Sequence, residues 1–141
     1  MKPDVLEWVV KAEEDFQAAS ALARLRKHPV RNAVCFHCQQ CVEKYIKSRL
    51  DEDDIPFPKI HDLPRQLDMV VKVEPLWEAM RKSMTMLARY ASLFRYPGDT
   101  ATAGEAKSAL AACRSLRAEM RSRLGLVAHR ASPVARRRGV R

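Results

Sequence analysis

Apolar side chains recur every three or four residues along this chain, in long stretches that proline and glycine divide. That period turns one face of an α-helix toward a core, and it differs from the two-residue alternation of a half-buried strand. Val5, Val9, Ala12, Phe16, Ala19 and Ala23 fall on one side of a first helix, expected from Asp4 to about Arg26. Pro3 suits its start and "KHPV" (27–30) its stop, because proline disfavours helix in the residue before it. A second helix is expected from about Val30 to Leu50. The acids and prolines of "DEDDIPFPKIHD" then read as an exposed loop. A short third helix fits Asp62 to Val71, with Asp62 as its cap and Pro64 tolerated in the first turn. A fourth should start near Pro75, with Leu76, Met80, Ser83, Met84, Leu87, Tyr90, Ala91 and Phe94 on one stripe. Its methionines read as adaptable core filler, and "RYPGD" (95–99) ends it. The fifth begins at "TAGE", where Thr102 and Glu105 have capping-box spacing. It continues through Leu110, Cys113 and Met120 to Leu124 and stops at Gly125.

No segment calls for a strand, and a glycine count of four argues against a turn-rich β-sandwich. The expected fold is all-α: an up-down antiparallel bundle of four long helices plus one short helix. A chain of 141 residues suffices for one such domain, expected over 1–126, with a basic tail over 127–141 expected to be disordered. That tail carries five arginines and no acid, more than half of the net charge of +9. It reads either as a solvated tail or as a phosphate-seeking arm. No apolar run reaches the length of a membrane span, and the acidic, amphipathic start is unlike a signal peptide. A cytoplasmic protein is expected, with no membrane among its partners.

Three of the four cysteines lie within "CFHCQQC" (35–41), which superficially resembles a metal site. On a helix, Cys35, Cys38 and Cys41 share an arc of about 120° with Val34, Val42, Tyr45 and Ile46 nearby. Cys35 and Cys41 are then separated by about 9 Å of rise, whereas thiolates on one zinc sit about 4 Å apart. The cysteines therefore read as reduced, buried thiols, with no metal and no cofactor expected. Gln40, Glu43 and Lys47 gather on another side with Phe36, so a second helix or a second subunit should partly cover that face. Glu and Gln buried there would need hydrogen-bond partners, as in a specificity network or a ligand site.

The stretch "FHCQQCVEKYIKSRL" (36–50) resembles the second-helix signature of the HEPN family, the higher eukaryotes and prokaryotes nucleotide-binding domain. The matching residues are Phe36, His37, Cys38, Gln39, Gln40, Cys41, Val42, Glu43, Lys44 and Lys47. Cys38 and Cys41 stand where the family usually has small residues. "AEEDF" (12–16), "HDL" (61–63), "RYP" (95–97) and a final helix with "GEAKSAL" fit the same order, so the resemblance covers roughly 5–124. It implies an all-α bundle that forms a homodimer. It also implies a minimal nucleotidyltransferase partner in a toxin–antitoxin-type module, and an RNA or nucleotide ligand. Many members are metal-independent endoribonucleases with an Arg, four to six residues, then His in the later part of the bundle.

That motif matches Arg31…His37 and Arg123…His129, and 17 arginines with four histidines produce such matches by chance. Neither is well placed: the first opens the second helix and the second runs past Gly125 into the tail. The favoured expectation is a HEPN-domain protein that binds a nucleotide or RNA phosphate, or a nucleotidyltransferase partner, without the usual ribonuclease motif. One alternative is a diverged metal-independent endoribonuclease with Arg95 and His61 as catalytic candidates. The other is a structural helical partner without a ligand. The ligand-binding candidates are Arg95, Tyr96, Gln40, Glu43, Lys44 and His37. Arg95 attracts attention because it ends a helix beside Tyr96, close before a helix start that offers free N–H groups. A structural role, with Arg95 paired to Glu43 or Asp99, is the other reading of that residue.

Overall fold

The computed structural model describes residues 1–126; the tail over 127–141 lies outside the described residues. Among the described residues five α-helices carry the fold: α1 (Pro3–Ala23), α2 (Arg31–Glu52), α3 (Leu63–Val70), α4 (Arg81–Ala88) and α5 (Ala103–Arg123). No strand occurs among the described residues. Pro3 and Asp4 start α1 in the positions where a missing N–H and a negative charge are favourable. The helix ends at Ala23, short of Arg26, and the turn to α2 passes through His28 at φ 52°. Thr102 accepts from the Glu105 N–H at 3.0 Å and Glu105 accepts from the Thr102 N–H at 2.9 Å, closing the expected capping box on α5. Asp62 caps α3 through the Arg65 N–H at 3.2 Å.

The stretch from Pro75 departs from one long helix. Pro75–Met80 forms a 3-10 turn, α4 follows, and Arg89–Ala91 is again 3-10. The winding explains a misplaced stripe residue. With three residues per turn, Trp77 rather than Leu76 lines up with Met80. Trp77 is accordingly 1% exposed and donates to Glu119 at 3.3 Å, while Leu76 is 83% exposed.

α2 is the spine of the bundle, with buried residues around most of its circumference. α1 lies antiparallel to it, with Trp8 beside Asp51 and Asp15 beside Lys44. Pro75–Ala91 also runs antiparallel to α2, from Glu74 beside Arg49 toward Tyr90 and Cys35. α5 descends parallel to α2, tied at its start by the Ala101 N–H donating to Asn32 at 2.8 Å. This is the expected up-down bundle, with the fourth stretch broken into shorter turns.

All four cysteines are free and buried in the core. Cys113 of α5 neighbours Cys38 and Cys41 of α2 in the core. Burial pushes the Cys35 thiol up to about 12, and the adjacent Cys113 thiol with burial pushes Cys38 higher still. Such thiols behave as small hydrophobes rather than nucleophiles. Among the described residues, no group of three or more His, Cys, Asp or Glu is arranged to hold a metal ion, and no helix is long and apolar enough to cross a membrane.

Candidate functional site

The polar face read on α2 closes around two carboxylates. Glu43, only 1% exposed, accepts from Gln39 Nε2 at 2.8 Å on one oxygen. Its other oxygen meets Lys47 Nζ at 2.9 Å and His61 Nδ1 at 2.8 Å. Gln40 Nε2 extends the chain by donating to Gln39 Oε1 at 2.7 Å. The second centre is Asp15 of α1, which meets His37 Nδ1 at 2.7 Å and Lys44 Nζ at 2.5 Å. Each buried acid thus holds one lysine and one imidazole. The reason is electrostatic: an ionised carboxylate out of water needs several donors, and a cation within hydrogen-bond reach compensates its lost hydration.

The two histidines differ in what they present. His37 is half-buried, with its ring edge-on to Phe36 at 5.6 Å. His61 sits before α3 with its side chain 65% exposed, and only Nδ1 is engaged. The dyad therefore offers Nε2 to solvent in a fixed orientation. Lys47 lies 5.3 Å above the Trp8 ring, and Trp8 donates to Asp51 at 2.7 Å, so α1 closes one flank of this cluster.

Two further acids lock the bundle. Glu13 receives both guanidinium donors of Arg117, at 2.6 and 2.7 Å, and the Tyr45 hydroxyl, which also accepts from Arg121 at 3.0 Å. Burial opposes the charge on Glu13, but the bonds from Arg117 and Tyr45 outweigh it and hold the carboxyl below its ordinary range. Burial, with the bond to Glu13, raises the Tyr45 hydroxyl. Glu74 bridges Arg123 at 2.9 Å and Arg49 at 3.1 Å.

The sequence candidates separate into two groups. His37, Gln40, Glu43, Lys44 and His61 all belong to the α2-centred networks. Arg95 and Tyr96 do not join them. The Arg95 guanidinium donates to the Ala91 carbonyl at 3.0 Å, in the loop where Phe94 adopts φ 72°, and Tyr96 is 73% exposed. Arg95 forms no pair with Glu43 or Asp99. Lys47, read on the same polar face as Gln40 and Glu43 but not named as a ligand candidate, joins the Glu43 network, and Asp15 and Gln39 are the members that sequence reasoning left out. Asp15 had a signal: it falls between Ala12 and Ala19 on the buried stripe of α1, where an acid needs partners.

An all-helical bundle whose central helix carries Gln39, Gln40, Glu43 and Lys47 in one hydrogen-bonded network defines a class, and comparison with known families agrees. The HEPN domain profile matches residues 5–123, and the chain belongs to the HEPN family. That membership ties it to nucleotide- or RNA-related function. Searches of curated proteins and of solved structures returned no significant match.

Proposed function

We propose that the chain is a HEPN protein of a toxin–antitoxin-type module that binds a nucleotide or an RNA phosphate. In this reading it works as a homodimer beside a minimal nucleotidyltransferase, in the cytoplasm, and without the ribonuclease motif common in the family. One observation carries the reading: buried Glu43 fixes Nδ1 of His61 and leaves Nε2 of an exposed ring unengaged. With Nδ1–H donating to the carboxylate, Nε2 accepts in the neutral ring and donates in the cationic one. The cationic form is the one suited to a phosphate oxygen.

The placement of the two Arg…His matches supports binding over cleavage. In the first, His37 is committed to Asp15 while Arg31 stands exposed at the start of α2. In the second, Arg123 is committed to Glu74, and His129 lies outside the described residues. The diverged ribonuclease remains the rival reading, with Arg95, Tyr96 and His61 as its residues, and a ligand-free structural partner is the third.

The test uses the intact chain with a short single-stranded RNA and with AMP, in the presence of a chelator. Binding without cleavage, weakened about fivefold by His61→Ala, supports the proposal. Affinity that His61→Ala leaves unchanged refutes the role of His61. Cleavage abolished by Arg95→Ala in a folded protein establishes the ribonuclease instead. Co-purification with the product of the adjacent gene, and the mass of the free protein in solution, address the partner and the dimer.

A further inference from the structure

Residues 16–42 contain no acid. They form the second half of α1, the turn, and the first half of α2, and they bring Arg24, Arg26, Lys27 and Arg31 to one end of the bundle. Lys107, in the first part of α5, joins them there. Among the described residues none of these five cations is in an ion pair or a side-chain hydrogen bond, in contrast to Lys44, Lys47, Arg117 and Arg123.

Within this basic end lies a cleft of about 350 Å³ between the end of α1 and the starts of α2 and α5. Leu22, Leu25, Val30, Val34 and Leu110 form its aliphatic wall, and Arg31 and Lys107 also line it. No acid and no aromatic ring does. Leu25 and Val30 are exposed, and α2 starts here without a side-chain cap, so the partial positive charge of its first turn adds to that of the cations.

We infer that this cleft docks an acidic, aliphatic-bearing segment of a partner protein. A leucine, isoleucine or valine of the segment enters between α1, α2 and α5, and flanking carboxylates meet Arg31 and Lys107. Charge complementarity selects an acidic occupant, and the aliphatic wall selects a side chain rather than a nucleobase, which binds by stacking on rings that this wall lacks. A second copy has acids and exposed apolar residues on α1, at Leu6, Glu7 and Val10. Seating them here would bring the start of α1 of one copy against the end of α1 of another, a contact that the self-association measurement below distinguishes.

The experiment measures fluorescence anisotropy of a labelled synthetic peptide with leucines at helical spacing and glutamates between them, against the full chain. Two variants change only exposed residues lining the cleft. Arg31→Glu with Lys107→Glu reverses the charge, and Ala103→Trp fills the mouth without altering charge. Unchanged thermal melting verifies that both fold. The inference expects each variant to weaken binding about tenfold, and a peptide with serine in place of leucine to lose it. Equal binding by all variants, or by the serine peptide, overturns it, because charge attraction alone then explains the affinity. If the same substitutions abolish single-stranded RNA binding and leave peptide binding intact, the cleft belongs to nucleic acid and the inference fails. It fails equally if they abolish self-association instead, which assigns the cleft to a second copy.

Discussion

Removing the Glu43 carboxylate is the most demanding test of the α2 network. Glu43→Ala leaves the Lys47 ammonium, whose side chain is 9% exposed, without its counter-charge, and it strips Gln39 and His61 of a partner. Breaking a buried pair from one side costs about 3–5 kcal/mol, because the remaining charge stays desolvated. A domain of this size has only about 5–15 kcal/mol in hand, so the variant should unfold at a much lower urea concentration. The loss comes from an orphaned charge rather than from a missing attraction, and that makes a second measurement decisive. Lys47→Met removes the orphan, so the double variant should be more stable than the sum of the single effects predicts, by about 2 kcal/mol. His61→Ala removes a group that is mostly in water and should cost less than about 1 kcal/mol. Urea unfolding followed by circular dichroism gives all four values. Strict additivity of the Glu43 and Lys47 substitutions, or a loss below about 1 kcal/mol for Glu43→Ala, would refute the buried pair.

The depressed Glu13 carboxyl makes stability pH-dependent in a defined direction. Its contribution is complete above the ordinary carboxyl value of 4.5 and is lost as pH falls through the lower folded value. The stability difference between the protein and Glu13→Gln should therefore hold steady above 4.5 and shrink below it; a difference that grows on acidification contradicts the Arg117 pairing. The four buried thiols should resist iodoacetamide in the native protein and all react in urea. Rapid native labelling of Cys38 or Cys113, or stoichiometric zinc bound by these thiols, would disprove their place in the core. Thr102→Ala opens the capping box of α5 and should lower stability by about 1 kcal/mol in urea unfolding. A change within error would show that water replaces the Thr102 hydroxyl at the Glu105 N–H without cost.

Much of the fold is visible in periodicity and punctuation. Capping signals placed α3 and α5, and proline marked the turn after α1, because these effects act within a few residues of chain. The cysteine arc on α2 likewise follows from helix geometry alone. The fourth stretch was less legible. Its residues have ordinary helix spacing, and tertiary packing of Trp77 under Glu119 accompanies the tighter winding. Within the site, Glu43 and Gln40 stood out because polar groups shared a face with Phe36, whereas Asp15 showed only as an acid on an apolar stripe.

The sequence by itself determined α1, α2, α3 and α5, the buried edge of α2 and the all-α class, since each rests on interactions between residues three or four apart. Only the tertiary structure decided which charges meet. Asp15 finds His37 and Lys44 across 22 and 29 residues of chain, Glu43 finds His61 across 18, and Glu13 finds Arg117 across 104. Arg95 shows the same division from the other side: its place at the end of a helical stretch can be read locally, but its separation from Glu43 cannot. Hydrogen bonds and ion pairs act over a few ångströms, so their partners are fixed only when packing brings distant helices into register.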